Sequence, residues 1–416
     1  MHLSRPLPGN LRAFKFLSAL LITACVVACG GSEEPDAAAP SPSAPAPVIP
    51  SVAGNGKLKI FILAGQSNMQ GFGKVDRGGD PERDKIECPV RADGTKGFPA
   101  NILGGMGSLR AMVEKEPSKY SYLIDTSKTI TYTVTANAAE CVKADKKTYS
   151  SWATRDDVRV SSWTYKSSKV SDGTGEVDNR LLSVGLGSAN VMRNGEGYIG
   201  PELGFGHMVG TALTDKVLLI KTAWGGKSLA VDFRPPSSVG SGIPVTNARP
   251  VPEDKTGSYY TEMVSKVKLV LSDIKKYYPD YDGKGYEVVG LGWHQGWNDR
   301  DHAAYVAQYG ANLANLIRDL RKDLNLPNML FVVGNSGMAG AYDGIGLALV
   351  TAQGVVSDPV KYPGFLGNVS VVDTRPFHYP NTSPEVGFEE HWNYNAESYF
   401  KVGESMGTAM LKLMKP

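Results

Sequence analysis

The chain has 416 residues, 42% of them hydrophobic and 21% charged, which suits a globular protein with a large core. That length is too short for many domains and long enough for one large domain carrying an insertion. The formal net charge is +2; without Arg5, Arg12 and Lys15, which fall in a segment read below as removable, 41 basic residues face 42 acidic ones and the charge becomes −1, a balance that gives no support to nucleic-acid binding.

The N-terminus reads as an export signal. Basic residues precede an apolar run from Phe16 to Val27 that is too short to span a bilayer. The run ends Val26-Val27-Ala28-Cys29-Gly30, and small residues before a cysteine resemble the bacterial lipobox, so Cys29 is expected to carry the lipid of a cell-envelope lipoprotein, at the outer membrane, the periplasmic face or the surface. Residues 29 to 56, rich in Pro, Ala and Ser with no apolar face to bury, read as a tether. Cys25 leaves with residues 1 to 28; Cys88 and Cys141 remain as an even pair in an oxidising compartment, where a disulfide between them is expected, buried thiols being the alternative.

From Lys57 to the end, residues 57 to 416, apolar runs alternate with amphipathic stretches. Expected strands are Leu58–Ala64, Lys216–Ala223, Glu287–Trp293, Met329–Gly334 and Val369–Asp373, each rich in Val, Ile, Leu or Phe as a buried parallel strand is. Helical spacing runs from Tyr260 to Ile274, from Val306 to Leu320 and from Tyr399 to Leu413. This alternation predicts an α/β fold, a parallel sheet with helices on both sides, whose site lies beyond the carboxyl ends of the strands. Residues 76 to 195 break the pattern: TITYTVTANAAE and DDVRVSSWTYKSSKV alternate and favour β structure. They predict a β-rich insertion beside or over the site.

The first strand ends in Gly65-Gln66-Ser67-Asn68-Met69. Met69 stands where the G-x-S-x-G elbow of α/β-hydrolases needs its second glycine. A serine nucleophile also needs a base. Five histidines remain in the mature chain: His207 and His302 in helical patterns, His294 at a strand end, His378 in a loop, and His391 just before the final helix, from where it can reach back to Ser67. Oxyanion donors, each worth ~3 kcal/mol of barrier, are offered at two strand ends, by the Gly225-Gly226 backbone and by the Gln295 and Asn298 side chains. Trp224, Trp293 and Trp297 near those ends are either core or sugar-stacking faces. Glu202 opens a helix, where its charge is structural. No metal-ligand cluster such as H-E-x-x-H or a paired CxxC occurs, and no cofactor is expected.

In order, Gly-x-Ser, a later Gly, Gly-x-Asn-Asp and a late His resemble the SGNH hydrolases. More narrowly, GQSNMQG, GGKSL and WHQG resemble the sialate O-acetylesterase and acetylxylan-esterase-like branch of carbohydrate esterases, over roughly residues 57 to 75 and 196 to 416. The resemblance implies a flavodoxin-like three-layer α/β/α sandwich and hydrolysis of O-acetyl esters on carbohydrates, whether acetylated polysaccharide or sialic acid. It makes Ser67 the nucleophile and His391 the base, with the N–H groups of Ser67 and of Gly225 or Gly226, and the amide of Asn298 or Gln295, as the oxyanion hole. The chain departs from that branch at Trp297, where a glutamate is usual, and at Phe388, where the triad aspartate is usual. Glu389 is then the expected orienting acid, with Glu390, Asp373 or a Ser–His dyad as alternatives. A non-sugar esterase and a non-catalytic carbohydrate-binding lipoprotein are the rival readings.

Overall fold

The computed structural model describes residues 53–75, 107–134, 145–163, 178–188, 197–241, 256–379 and 389–415, all within one compact unit. The signal segment, Cys29, the tether up to residue 52, Cys88, Cys141 and Phe388 lie outside these residues. Among the described residues, no helix is long and apolar enough to cross a membrane.

In chain order the strands are β1 (Leu58–Gly65), β2 (Gly73–Lys74), β3 (Ile124–Val134), β4 (Asp145–Trp152), β5 (Arg155–Trp163), β6 (Asp178–Leu182), β7 (Tyr198–Ile199), β8 (Val217–Ala223), β9 (Tyr286–His294), β10 (Leu330–Gly334) and β11 (Val369–Val372). Seven of them form the central sheet, in the order β11-β10-β9-β1-β8-β5-β6. All its neighbours pair parallel except β5 with β6. Counted along the chain, β8-β1-β9-β10-β11 is the 2-1-3-4-5 order of a flavodoxin-like sheet, with its switch point at β1. The five strands expected from the sequence are these five.

Burial explains the apolar runs. Every residue of β1 is buried, because helices cover both faces of the sheet. Ile60 and Ile62 face one core, shared with the helices Ser258–Ser272 and Ala303–Asp323; Phe61 and Leu63 face the other, shared with Pro201–Ala212 and Ala396–Leu413. The last two helices cross closely because Gly204 and Gly403 lack side chains: a Cβ at Gly204 would meet the Phe400 carbonyl, and one at Gly403 the Pro201 carbonyl.

The segment expected as a β-rich insertion is β-rich where it is described, and part of it extends the main sheet, since β5 pairs parallel with β8 and β6 closes the edge, while β3 and β4 form a separate two-stranded sheet. The alternating DDVRVSSW run hid this: an edge-proximal strand is half-solvated at its start and buried on both faces only from Val160 to Trp163. One expectation is corrected: the helix expected through Ile274 breaks at Asp273, whose φ of −145° and ψ of 68° leave the helical region, and a short helix Ile274–Tyr277 follows.

Candidate active site

Ser67 stands at the carboxyl end of β1 and opens the one-turn helix Ser67–Gln70. The chain turns sharply at Gly65, whose φ is +154°, and a side chain there would run into the His294 carbonyl of the neighbouring β9. Strand end, turn and helix hold Ser67 in place, with the residue 7% exposed.

Gln66, which the sequence reading passed over, ties this turn to the end of β9. Its buried Oε1 accepts from Gln295 Nε2 at 3.0 Å, Gly296 N at 3.1 Å and Asn298 N at 3.3 Å. Its Nε2 donates to Asn298 Oδ1 at 3.1 Å and reaches Ser67 Oγ at 3.5 Å. With Oδ1 held by Gln66, Asn298 is left with Nδ2 as its free end, and Nδ2 donates to nothing among the described residues.

The Gln295 carboxamide, the other expected side-chain donor, is already occupied. Its Nε2 is spent on Gln66 Oε1, on the Lys227 carbonyl at 2.9 Å and on Asp299 Oδ2 at 2.6 Å, while Tyr309 OH donates to its Oε1 at 2.8 Å. Asp299, also missed, is fully buried and accepts the N–H groups of Leu229 at 2.8 Å and Ala230 at 2.9 Å, fixing the loop after β8. Burial raises its pKa to about 6, against the lowering effect of these hydrogen bonds.

That fixed loop brings Gly225 beside the serine: a Cβ there would lie 3.6 Å from Ser67 Cβ. Among the described residues, the N–H groups of Ser67, Gly225 and Gly226 donate to no acceptor. Among the described residues, the N–H groups of Ser67 and Gly225 and the Asn298 Nδ2 are therefore unspent in loops that meet at the end of β1, and unspent donors of this kind are what an oxyanion site is built from.

His391 arrives through Asn68, whose Nδ2 donates to the Glu390 carbonyl at 2.8 Å while its Oδ1 accepts from Tyr399 OH at 2.8 Å. Tyr399 OH also lies 3.2 Å from the His391 carbonyl. The imidazole stacks on Phe72, with ring centroids 4.3 Å apart. Trp392, Asn393 and Tyr394 all take positive φ, so the chain coils tightly before the final helix. Among the described residues, no hydrogen bond joins Ser67 Oγ to the His391 ring; the structure brings the two loops together without closing that bond.

No carboxylate is hydrogen-bonded to the His391 ring among the described residues. His391 Nδ1 is buried without a hydrogen-bond partner among the described residues. Glu389 is exposed and its field acts on His378, whereas Glu390 is the carboxylate acting on His391. Asp373 is committed to Arg375 at 2.8 Å. Burial lowers the His391 pKa, and Glu390 opposes this.

The other histidines serve elsewhere. Burial takes His207 to about 3 and His294 to about 4, and His294 Nδ1 is bonded to the Gly334 carbonyl at 2.9 Å. His302 stands at the N-terminal boundary of the helix Ala303–Asp323 and its ring makes no capping hydrogen bond. Trp224 and Trp293 are core residues, whereas Trp297 is half-buried. Glu202 forms a fully buried ion pair with Lys221 at 2.7 Å, and Lys221 also donates to the Gln70 carbonyl at 2.7 Å, beneath the serine turn.

The signals for Gln66, Asn68 and Asp299 were present in the sequence as amides flanking the serine and an acid following Asn298. Their partners were not.

A profile of the family described as carbohydrate esterase, sialic acid-specific acetylesterase matches residues 187–412. No curated protein matches the chain significantly. Among solved structures, a protein from Arabidopsis thaliana is 18% identical, over 85% of this chain and 98% of its own, with a TM-score of 0.45. A carbohydrate acetylesterase from Xanthomonas citri is 12% identical, over 80% and 52%, with a TM-score of 0.39. NanS is 11% identical, over 79% and 83%, with a TM-score of 0.41.

Proposed function

Because the chain belongs to the sialic acid-specific acetylesterase family of carbohydrate esterases, whose profile spans more than half of it, we propose that it removes O-acetyl groups from carbohydrates through an acetyl-enzyme on Ser67. The observation that supports this reading is the set of unspent donors in the loops beside Ser67: the N–H groups of Ser67 and Gly225, and the Asn298 amide held by Gln66.

His391 takes the Ser67 proton as the oxygen attacks the acetyl carbonyl, and the three donors receive the oxyanion. The ring closes its bond to Ser67 in the substrate complex, where catalytic hydrogen bonds tighten. The sugar alkoxide leaves with that proton, and water, deprotonated by His391, releases acetate. With no carboxylate bonded to Nδ1 among the described residues, Phe72 stacking and the Asn68–Tyr399 tether orient the ring, so the pair works as a dyad. On this reading Cys29 carries the lipid that places the enzyme at the cell envelope.

The test is acetate release from O-acetylated xylan and O-acetyl sialic acid. Ser67→Ala is expected to abolish it while leaving the unfolding midpoint unchanged; activity retained in the variant refutes the serine mechanism.

A further inference from the structure

Trp297 follows β9, and the Arg300 guanidinium lies 4.6 Å from its ring centroid, with Nη1 donating to the Ala339 carbonyl. One strand further on, the loop after β10 carries Tyr342, 64% exposed, with the Arg375 guanidinium 5.2 Å from its ring centroid. Arg375 follows β11 and is itself held by Asp373, through Nη2 at 2.8 Å and Nε at 2.9 Å. The two loops are locked together: Asn335 Oδ1 accepts Thr374 N at 2.8 Å, and Gly337 N donates to Thr374 Oγ1 at 3.0 Å.

The carboxyl rim of the sheet thus bears two aromatic rings, each backed on one side by an arginine, stepping away from the serine along adjacent strands. The other exposed tyrosines do not share this rim: Tyr286 starts β9 at the opposite end, and Tyr122 precedes β3. Trp297 is half-buried against the core, whereas Tyr342 is an exposed rigid ring with a guanidinium beside it, which suits a sugar, whose C–H face stacks on the aromatic and whose hydroxyls accept from the arginine. Strands are spaced about 4.8 Å apart, so β10 lies roughly 10 Å from β1, a span that one pyranose ring does not cover.

Resting on the esterase reading above, we infer that Tyr342, backed by Arg375, is a distal glycan subsite, and that the substrate is an acetylated oligo- or polysaccharide whose chain runs from Ser67 past Trp297 to Tyr342.

The test compares the full-length enzyme with Tyr342→Ala and Tyr342→Phe on acetylated xylan, on an acetylated monosaccharide and on 4-nitrophenyl acetate. Tyr342→Ala is expected to lower kcat/KM on the polymer five- to tenfold through KM, leaving the two small substrates unchanged; Tyr342→Phe, which keeps the ring, should retain the wild-type value. An unchanged polymer kcat/KM in Tyr342→Ala, or an equal loss on all three substrates, overturns the subsite and leaves the esterase standing. A wild-type enzyme that deacetylates the monosaccharide but not the polymer also overturns it. Wild-type hydrolysis of 4-nitrophenyl acetate without acetate release from either sugar overturns the carbohydrate reading, and the subsite with it.

Discussion

Removing the Gln66 carboxamide separates a catalytic role from a structural one. In Gln66→Ala three N–H donors lose their acceptor, but they are not equivalent. Gln295 Nε2 keeps the Lys227 carbonyl and Asp299. Asn298 is half-exposed, so water can replace the lost partner of its N–H. Gly296 N–H is buried and left unpaired, which costs about 1–3 kcal/mol of stability. The catalytic effect has a different source. Without Gln66 Nε2 on Oδ1, the Asn298 amide is free to rotate, and losing one aligned oxyanion donor is worth ~3 kcal/mol, roughly a hundredfold in kcat with little change in KM. The assay is steady-state hydrolysis of 4-nitrophenyl acetate well below the unfolding midpoint, with urea denaturation alongside. The decisive measurement is the cycle with Asn298→Ala: if Gln66 acts through Asn298, the double variant has the kcat of Asn298→Ala alone. Independent, multiplying losses would refute the argument, as would a destabilised Gln66→Ala with unchanged kcat.

The acid limb of the kcat/KM profile should have its midpoint below the ordinary histidine value of about 6.5, because burial disfavours the charged His391 ring. Glu390 stabilises the imidazolium, so Glu390→Gln should move that midpoint lower still; a shift to higher pH would refute the assignment. Glu202→Gln strands the Lys221 ammonium in a site with no exposure, at an expected cost of about 3–5 kcal/mol in urea denaturation. The lysine pKa is already lowered by burial; in the variant the unfolded state binds more protons than the native one, so stability should rise as pH increases from 7 towards 10, and a flat profile would show that Lys221 is not the cause.

The central strands β1 and β8 were legible because a parallel strand buried on both faces must be a continuous apolar run, and such a run needs no knowledge of its neighbours; β9, β10 and β11 were legible from the same apolar runs although β9 begins exposed and the edge strand β11 is mostly half-buried. The placement of Ser67, Gly225 and Asn298 followed from the same fact, since each comes just after one of those runs. β5 and β6 were not legible as sheet members, because their alternation reflects solvent at the start of an edge-proximal strand rather than their pairing with β8.

What the sequence by itself determined is the set of polar groups delivered to the carboxyl edge of the sheet. What only the tertiary structure decided is which of them remain free to act. Gln295 and Asn298 carry the same carboxamide three residues apart, yet one is saturated by Gln66, Lys227 and Asp299 while the other keeps its Nδ2. Glu389, the acid expected beside His391, is likewise exposed, while the His391 ring stacks on Phe72 and its loop is tied to Asn68. The physical reason is that hydrogen-bond satisfaction is non-local: the partner that spends or spares a group at residue 295 or 298 comes from residue 66, and only folding brings them within 3.1 Å.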